Sequence, residues 1–128
     1  MNKYYFDDIE HEENFYELCI EEGIDPKGRN TEYLSLLYIS AFSEVFKMLP
    51  KRADGRKKLL TELFNLEDGR WEISHPAVTS GSEALAKLGF DLFGGNRSVR
   101  IVDLLNLSDD YFEVAKQAMK IRNPNAKL

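Results

Sequence analysis

Few side chains in this chain could do chemistry, and none comes with a complete set of partners. There are two histidines, His11 and His75, and one cysteine, Cys19. His11-Glu12-Glu13-Asn14-Phe15 begins like the zinc-protease pattern His-Glu-x-x-His, but Phe15 stands where the second ligand must be. Asp7, Asp8 and His11 could share a helix end and hold a metal. Capping explains the two aspartates better, and His11 reads as a surface residue of the first turn. A metal site needs three or more convergent ligands, so none is expected. Thr79-Ser80-Gly81-Ser82 supplies hydroxyls and free N–H groups at a helix start, the chemistry of an anion cradle. Ser80, Ser82 and Arg97 are the candidate anion contacts, with His75 as a neighbour. Helix capping accounts for the same serines. No Gly-x-Ser-x-Gly elbow is present, and no phosphate-binding glycine loop. Cys19 lies on the apolar line of a helix and reads as a small core residue. No catalytic residue and no cofactor is assigned.

Charge is the second kind of signal. The 128 residues carry a net −5, and residues 1–25 hold nine acids against Lys3. That is −8 at the front of the chain and +3 on the remainder. Glu10, Glu13, Glu17 and Glu21 recur at helical spacing, so the first helix is an acidic face able to meet a basic partner or to mimic nucleic acid. Lys47, Lys51, Arg52, Arg56, Lys57 and Lys58 form the opposite cluster. It is a weaker candidate for nucleic-acid binding through 47–58, because no aromatic residues are interleaved to stack bases. The favoured reading is that these cations suit a helix end and face the acidic helix of the same molecule. Trp71, the one tryptophan, reads first as a plug for the core and second as a partner-binding anchor beside His75.

The elements that must position these groups are mostly helices. Asp7 or Asp8 starts a first helix that runs to about Glu22 and buries Phe15, Leu18 and Cys19; Gly23 stops it. Tyr4, Tyr5 and Phe6 lead into it as a strand or an anchor on the core. Leu34, Leu37, Tyr38, Ala41, Phe42, Val45, Phe46 and Leu49 give helical spacing from 31 to 49, predicting the longest, central helix, closed by Pro50. A third helix is predicted over 56–65. Glu67-Asp68-Gly69-Arg70 is a turn signal and Trp71–Ile73 a short strand. Leu85, Leu88, Gly89, Leu92 and Phe93 predict a helix over 82–93, capped by Ser80 or Ser82 and ended by Gly94-Gly95. Short and long helices follow over 98–105 and 109–122. The expectation is one all-α domain, 1–128, a compact bundle of about six helices with a minor β element near 66–74.

Composition agrees with such a domain. Hydrophobic residues are 43% and charged residues 30%, a globular balance. No apolar run is long enough for a membrane span, the N-terminus turns acidic too early for a signal peptide, and a lone cysteine fits a reducing cytoplasm.

Three segments together, His11 to Tyr16, Leu63 to Gly69 and Thr79 to Gly95, resemble a family of small proteins from Firmicutes and their phages or integrated elements. The likeness covers most of residues 10–122. It includes a Leu-Phe-x-Phe segment and a Thr-Gly-x-Ser run leading into Leu-x-Phe-x-Leu-aromatic-x-Gly. This chain departs from it in having Thr79-Ser80-Gly81-Ser82 where the family has Thr-Gly-x-Ser, and Leu66 where an aromatic is common. The resemblance implies a bacterial or phage, intracellular origin and brings no catalytic residues. The functional expectation is a non-enzymatic interaction or accessory protein with an unidentified protein partner, contacted through Glu10, Glu13, Glu17, Glu21, Trp71 and His75. The alternative is a small anion- or ligand-binding enzyme built on Ser80, Ser82, His75 and Arg97.

Overall fold

A computed structural model describes residues 4–128. Among these, six α-helices and one two-stranded antiparallel sheet make the helical domain with a minor β element that the sequence predicts. In chain order they are α1 (Ile9–Glu22), α2 (Thr31–Ala41), α3 (Ser43–Phe46), β1 (Phe64–Glu67), β2 (Arg70–Ile73), α4 (Ser80–Leu92), α5 (Ile101–Leu105) and α6 (Asp109–Arg122).

Helix α2 is the axis of the fold. Every residue from Leu34 to Ala41 is buried, the two serines included. A helix apolar on one stripe needs cover on one side; a helix buried all round needs cover on every side. Here α1, α4 and α6 supply it. The Leu34, Leu37, Tyr38, Ala41 line is only part of the buried surface, because Leu36 and Ile39 find partners on the other helices. Against α4 the approach is closest at Gly89, where a Cβ would stand 2.7 Å from Leu60 Cδ2 and 3.2 Å from Ile39 Cβ.

The expected helix over 31–49 breaks at Phe42, which leaves helical geometry with ψ 128°. No glycine or proline causes this. The break is compensated by tertiary partners for the freed carbonyls, which would otherwise be buried unpaired. His11 Nε2 donates to the Tyr38 carbonyl at 2.9 Å and Asn14 Nδ2 to the Ala41 carbonyl at 3.1 Å. The Phe42 N–H bonds the Ile39 carbonyl. The Phe42 ring then packs edge-on against His11 and Tyr111.

His11 is therefore a core residue and not the surface residue its position near an acidic helix start suggests; its relative exposure is 0%. The Asp8 carboxylate caps α1 by accepting the His11 N–H at 2.8 Å. His11 Nδ1 accepts the Asp7 N–H at 3.2 Å. With Nδ1 accepting and Nε2 donating, the ring is the neutral Nε2–H tautomer. Phe6 and Tyr38 stack about it. Burial in this aromatic cage lowers the His11 pKa from 6.5 to about 4, against the opposing pull of the Tyr38 carbonyl and the Asp8 charge. Residues 4–6 are the anchor rather than a strand: Tyr5 donates its N–H to Gln117 of α6 and its carbonyl accepts the Tyr38 hydroxyl.

A second correction concerns 56–65, which is not a helix. A single 3-10 turn spans Leu60–Glu62, and Lys51 and Lys57 pair as an isolated bridge before it. Leu59, Leu60 and Leu63 are buried all the same. The Leu60 N–H finds the Ser40 hydroxyl at 3.2 Å, a bond across the core that a continuing helix would not need. Phe64 and Asn65 are drawn into β1, which pairs with β2 from Phe64↔Ile73 to Glu67↔Arg70. Asp68 and Gly69 both take positive φ (50° and 77°), the conformation of a two-residue type I′ turn. The expected strand is thus half of a hairpin.

At α4 the cap is Thr79, one residue before the predicted serines. Its side chain accepts the Ser82 N–H, and the Ser82 hydroxyl accepts the Thr79 N–H at 2.9 Å, a reciprocal capping box. α6 closes the bundle with Val114, Ala115, Ala118 and Ile121 buried.

Two outcomes follow from this core. The unfolded chain binds a proton on its histidine near pH 6.5 while the folded chain resists until about pH 4. Stability contributed by neutral His11 is complete above pH 6.5 and is lost as the pH falls through that window, by about 3 kcal/mol at most. Urea unfolding at a series of pH values measures it, and His11→Gln, although less stable at pH 7, lacks that part of the decline. Gly89→Ala gains helix propensity but crowds Leu60 and Ile39, and its unfolding free energy falls by about 1–3 kcal/mol.

Candidate functional site

A groove of about 520 Å³ lies between the hairpin, the first half of α4 and the loop after it. Its central side chain is Arg97, and local chemistry explains how Arg97 is aimed. Gly94 leaves α4 with φ 101°. Gly95 then passes directly under the Phe90 ring, where a Cβ would fall 1.8 Å from a ring carbon. The Asp91 carboxylate, still on the last turn of α4, accepts the N–H groups of Arg97 and Val99. The loop is pinned by its backbone, and the Arg97 side chain is returned over the hairpin.

There the guanidinium is sandwiched. Its carbon sits 3.7 Å from the ring centre of Trp71 and 3.7 Å from that of Phe90, with Phe64 at 5.6 Å. Cation–π attraction replaces a counter-ion. Nη1 donates to the Asn96 carbonyl at 3.1 Å, while Nε is buried with no acceptor. The neighbouring cations differ. Lys87 pairs with Glu83 at 3.6 Å and Arg100 with Asp103 at 3.0 Å, and Glu83 also accepts the Ile73 N–H, tying β2 to α4.

The structure brings Ser80 and Arg97 into one groove and leaves the other proposed anion contacts outside it. Ser82 is buried and its hydroxyl is engaged in the capping box. His75 is not among the groove residues, and its Nδ1 accepts the Ala77 N–H at 3.0 Å. Serine catalysis through His75 has no geometry here. Cys19 is 2% exposed and its thiol is pushed up to about 12 by burial, so it stays protonated. Among the described residues no cluster of three or more His, Cys, Asp or Glu side chains could hold a metal. Trp71 is half-buried and lies outside the core cluster. It plugs nothing; it forms one wall of the Arg97 sandwich.

The acidic helix presents a second surface. Glu10, Glu13 and Glu17 are exposed, and Glu21 is half-buried. Between them the sequence hides a feature it could have disclosed: Ile9 is 74%, Tyr16 42% and Ile20 81% exposed. At 100° per residue these three fall on one narrow strip, with Glu13, Glu17 and Glu10 along one side and Glu12 along the other. From the sequence, Ile20 and Tyr16 read as the edges of the buried line of Phe15, Leu18 and Cys19; the structure instead leaves both exposed.

The basic stretch 47–58 is largely tied down. Lys47 pairs with Glu44, Arg56 with Asp54, and Arg52 with Glu22 of α1 at 2.9 Å. Glu22 also accepts the Tyr33 hydroxyl at 2.6 Å, and Arg56 donates to the Glu21 carbonyl at the end of α1. Lys57 lies over the Phe46 ring.

No protein-family model, curated protein or solved structure matches this chain. No helix among the described residues is long and apolar enough to cross a membrane.

The sandwich generates a direct outcome. Gly95→Ala forces the Phe90 ring off the loop and opens the stack around Arg97. Trp71 is the sole tryptophan, so its emission reports the change without ambiguity. The variant shows altered Trp71 fluorescence and loses about 1–3 kcal/mol of stability, while helix content by circular dichroism is unchanged.

Proposed function

We propose that this chain is a non-enzymatic interaction module that docks a basic, amphipathic helix on the outer face of α1. The observation that carries the reading is the exposed Ile9, Tyr16, Ile20 strip with carboxylates along both edges. Scattered exposed hydrophobics are ordinary; three in one line on a single helix, framed by like charge, match the anchors and rim of a helix-recognition surface. Apolar side chains supply burial. The glutamates select a partner carrying Lys or Arg on the flanks of its own apolar stripe, and they speed the encounter.

The inner face of α1 supports this assignment. His11, Asn14, Phe15, Leu18 and Cys19 hold the helix to the core, so the outer strip is presented on a rigid element. Arg52 and Arg56 grip its C-terminal end. That use of the basic stretch favours a structural role for 47–58 over nucleic-acid binding. In keeping with the family resemblance, we place the module in the cytoplasm of a bacterium or phage-infected cell, with an accessory role.

Titration with a designed Leu/Lys amphipathic helical peptide, followed by amide NMR shifts, tests the proposal. Shifts are expected on residues 9–21, with affinity that declines as salt rises. Reversing Glu13 and Glu17 to Lys weakens binding by about tenfold or more, and Ile20→Ser does likewise. Equal binding of a scrambled peptide of the same composition, shifts confined to other elements, or no binding at all would overturn it. Dependence on the glutamates with none on Ile20 would also overturn it, pointing to charge mimicry instead.

A further inference from the structure

The groove at Arg97 calls for a ligand that the α1 surface does not explain. Arg97 is half-buried, clamped on both faces by Trp71 and Phe90, and has no carboxylate partner among the described residues. Asp91 is the carboxylate nearest in sequence to the loop, and both its oxygens are taken by backbone N–H groups. Glu83 and Asp103 are taken by Lys87 and Arg100. Desolvating a guanidinium without an anion is costly; Nε is closed off from solvent and takes no part in binding. Flat aromatic walls fix the guanidinium plane while leaving its edge to be met from the groove. Planar, fixed forks of this kind suit bidentate recognition of an oxyanion.

The remaining lining selects among oxyanions. Arg70 adds a second cation, without an ion-pair partner among the described residues, and Ser80 contributes a hydroxyl at the start of α4. Glu72 is the one lining acid left without a cation. With Glu72 set against them, the two guanidiniums leave the groove a net positive charge, which favours an oxyanion. A volume near 520 Å³ accommodates a small molecule.

We infer that this groove binds a small phosphorylated molecule, with Arg97 as its principal contact, Arg70 as a second cation and Ser80 as a hydroxyl partner. The inference is independent of the α1 docking surface, and no covalent step is attached to it.

Trp71 emission provides the readout, because the indole lies against the guanidinium that would bind. The probe is inorganic pyrophosphate, with malonate and chloride at matched ionic strength as controls. A saturable change with pyrophosphate is expected, accompanied by amide shifts at residues 69–72, 80 and 97–100. Arg97→Gln abolishes it, and Arg97→Lys, which keeps the charge and loses the fork, weakens it by about tenfold. Because Arg97 also braces the loop, the exposed Arg70→Glu serves as the variant that leaves the fold intact, and it too weakens binding. No saturable response at millimolar pyrophosphate, an equal response to malonate or chloride, shifts elsewhere in the chain, or full binding by Arg70→Glu and a folded Arg97→Gln would each overturn the assignment.

Discussion

The structure depends on how the end of a buried helix is satisfied. Helix α2 runs through the middle of the domain and stops there, with its last carbonyls far from water. Unpaired, each would cost about as much as a good fraction of the domain's net stability. Two side chains of α1 remove that cost. His11 and Asn14 are three residues apart, so they project from one face of α1 and reach Tyr38 and Ala41, which are three residues apart on α2. The match in spacing locks the register of the two helices. It also explains why a histidine can be fully buried: both ring nitrogens are used, one accepting and one donating, and the neutral form is held by its surroundings.

That lock has a functional corollary. Committing the inner face of α1 to polar bonds and the Phe15, Leu18, Cys19 contacts leaves the outer face free to carry whatever the core does not need. Glutamates there keep the surface in water, and Ile9 and Ile20 stand exposed among them. At the other end of the molecule, the same principle appears with different chemistry. Arg97 is held by aromatic faces where a carboxylate would be ordinary, because Asp91 is already spent on the backbone of the loop. There the Arg97 side chain is oriented by its neighbours in the folded chain itself, the condition for binding without a large reorganisation cost.

Much of the fold was legible in the sequence because its signals are local. Asp8 and Gly23 bound the first helix, the Leu85, Leu88, Gly89 spacing marks the fourth, and Asp68-Gly69 marks the hairpin turn. Less of the site was legible. Arg97 and Ser80, paired in the sequence reading, do line one groove, but Phe64, Phe90, Asp91 and Gly95, which aim Arg97, read as an apolar line and a helix stop. Nothing within a few residues of Gly95 says that an aromatic ring must lie on it. The Trp71 side chain was equally opaque: its partner is Arg97, twenty-six residues later, and no local pattern encodes that pairing.

By itself, the sequence determined a helical domain, the starts and stops of its first and last helices, a turn at 67–70 and an acidic first helix, because periodicity and capping act between residues three or four apart. Tertiary structure alone decided that α2 ends at Ala41 rather than running on to Leu49, that residues 56–65 give up helical geometry to a 3-10 turn and a strand, that His11 is buried and neutral, and that Arg97 stands between two rings. Each of these depends on a partner distant in sequence: His11 and Asn14 for the end of α2, Ser40 for Leu60, β2 for Phe64. A helix continues wherever its own hydrogen bonds are the best on offer, and it stops without any breaker when the folded chain brings a better set.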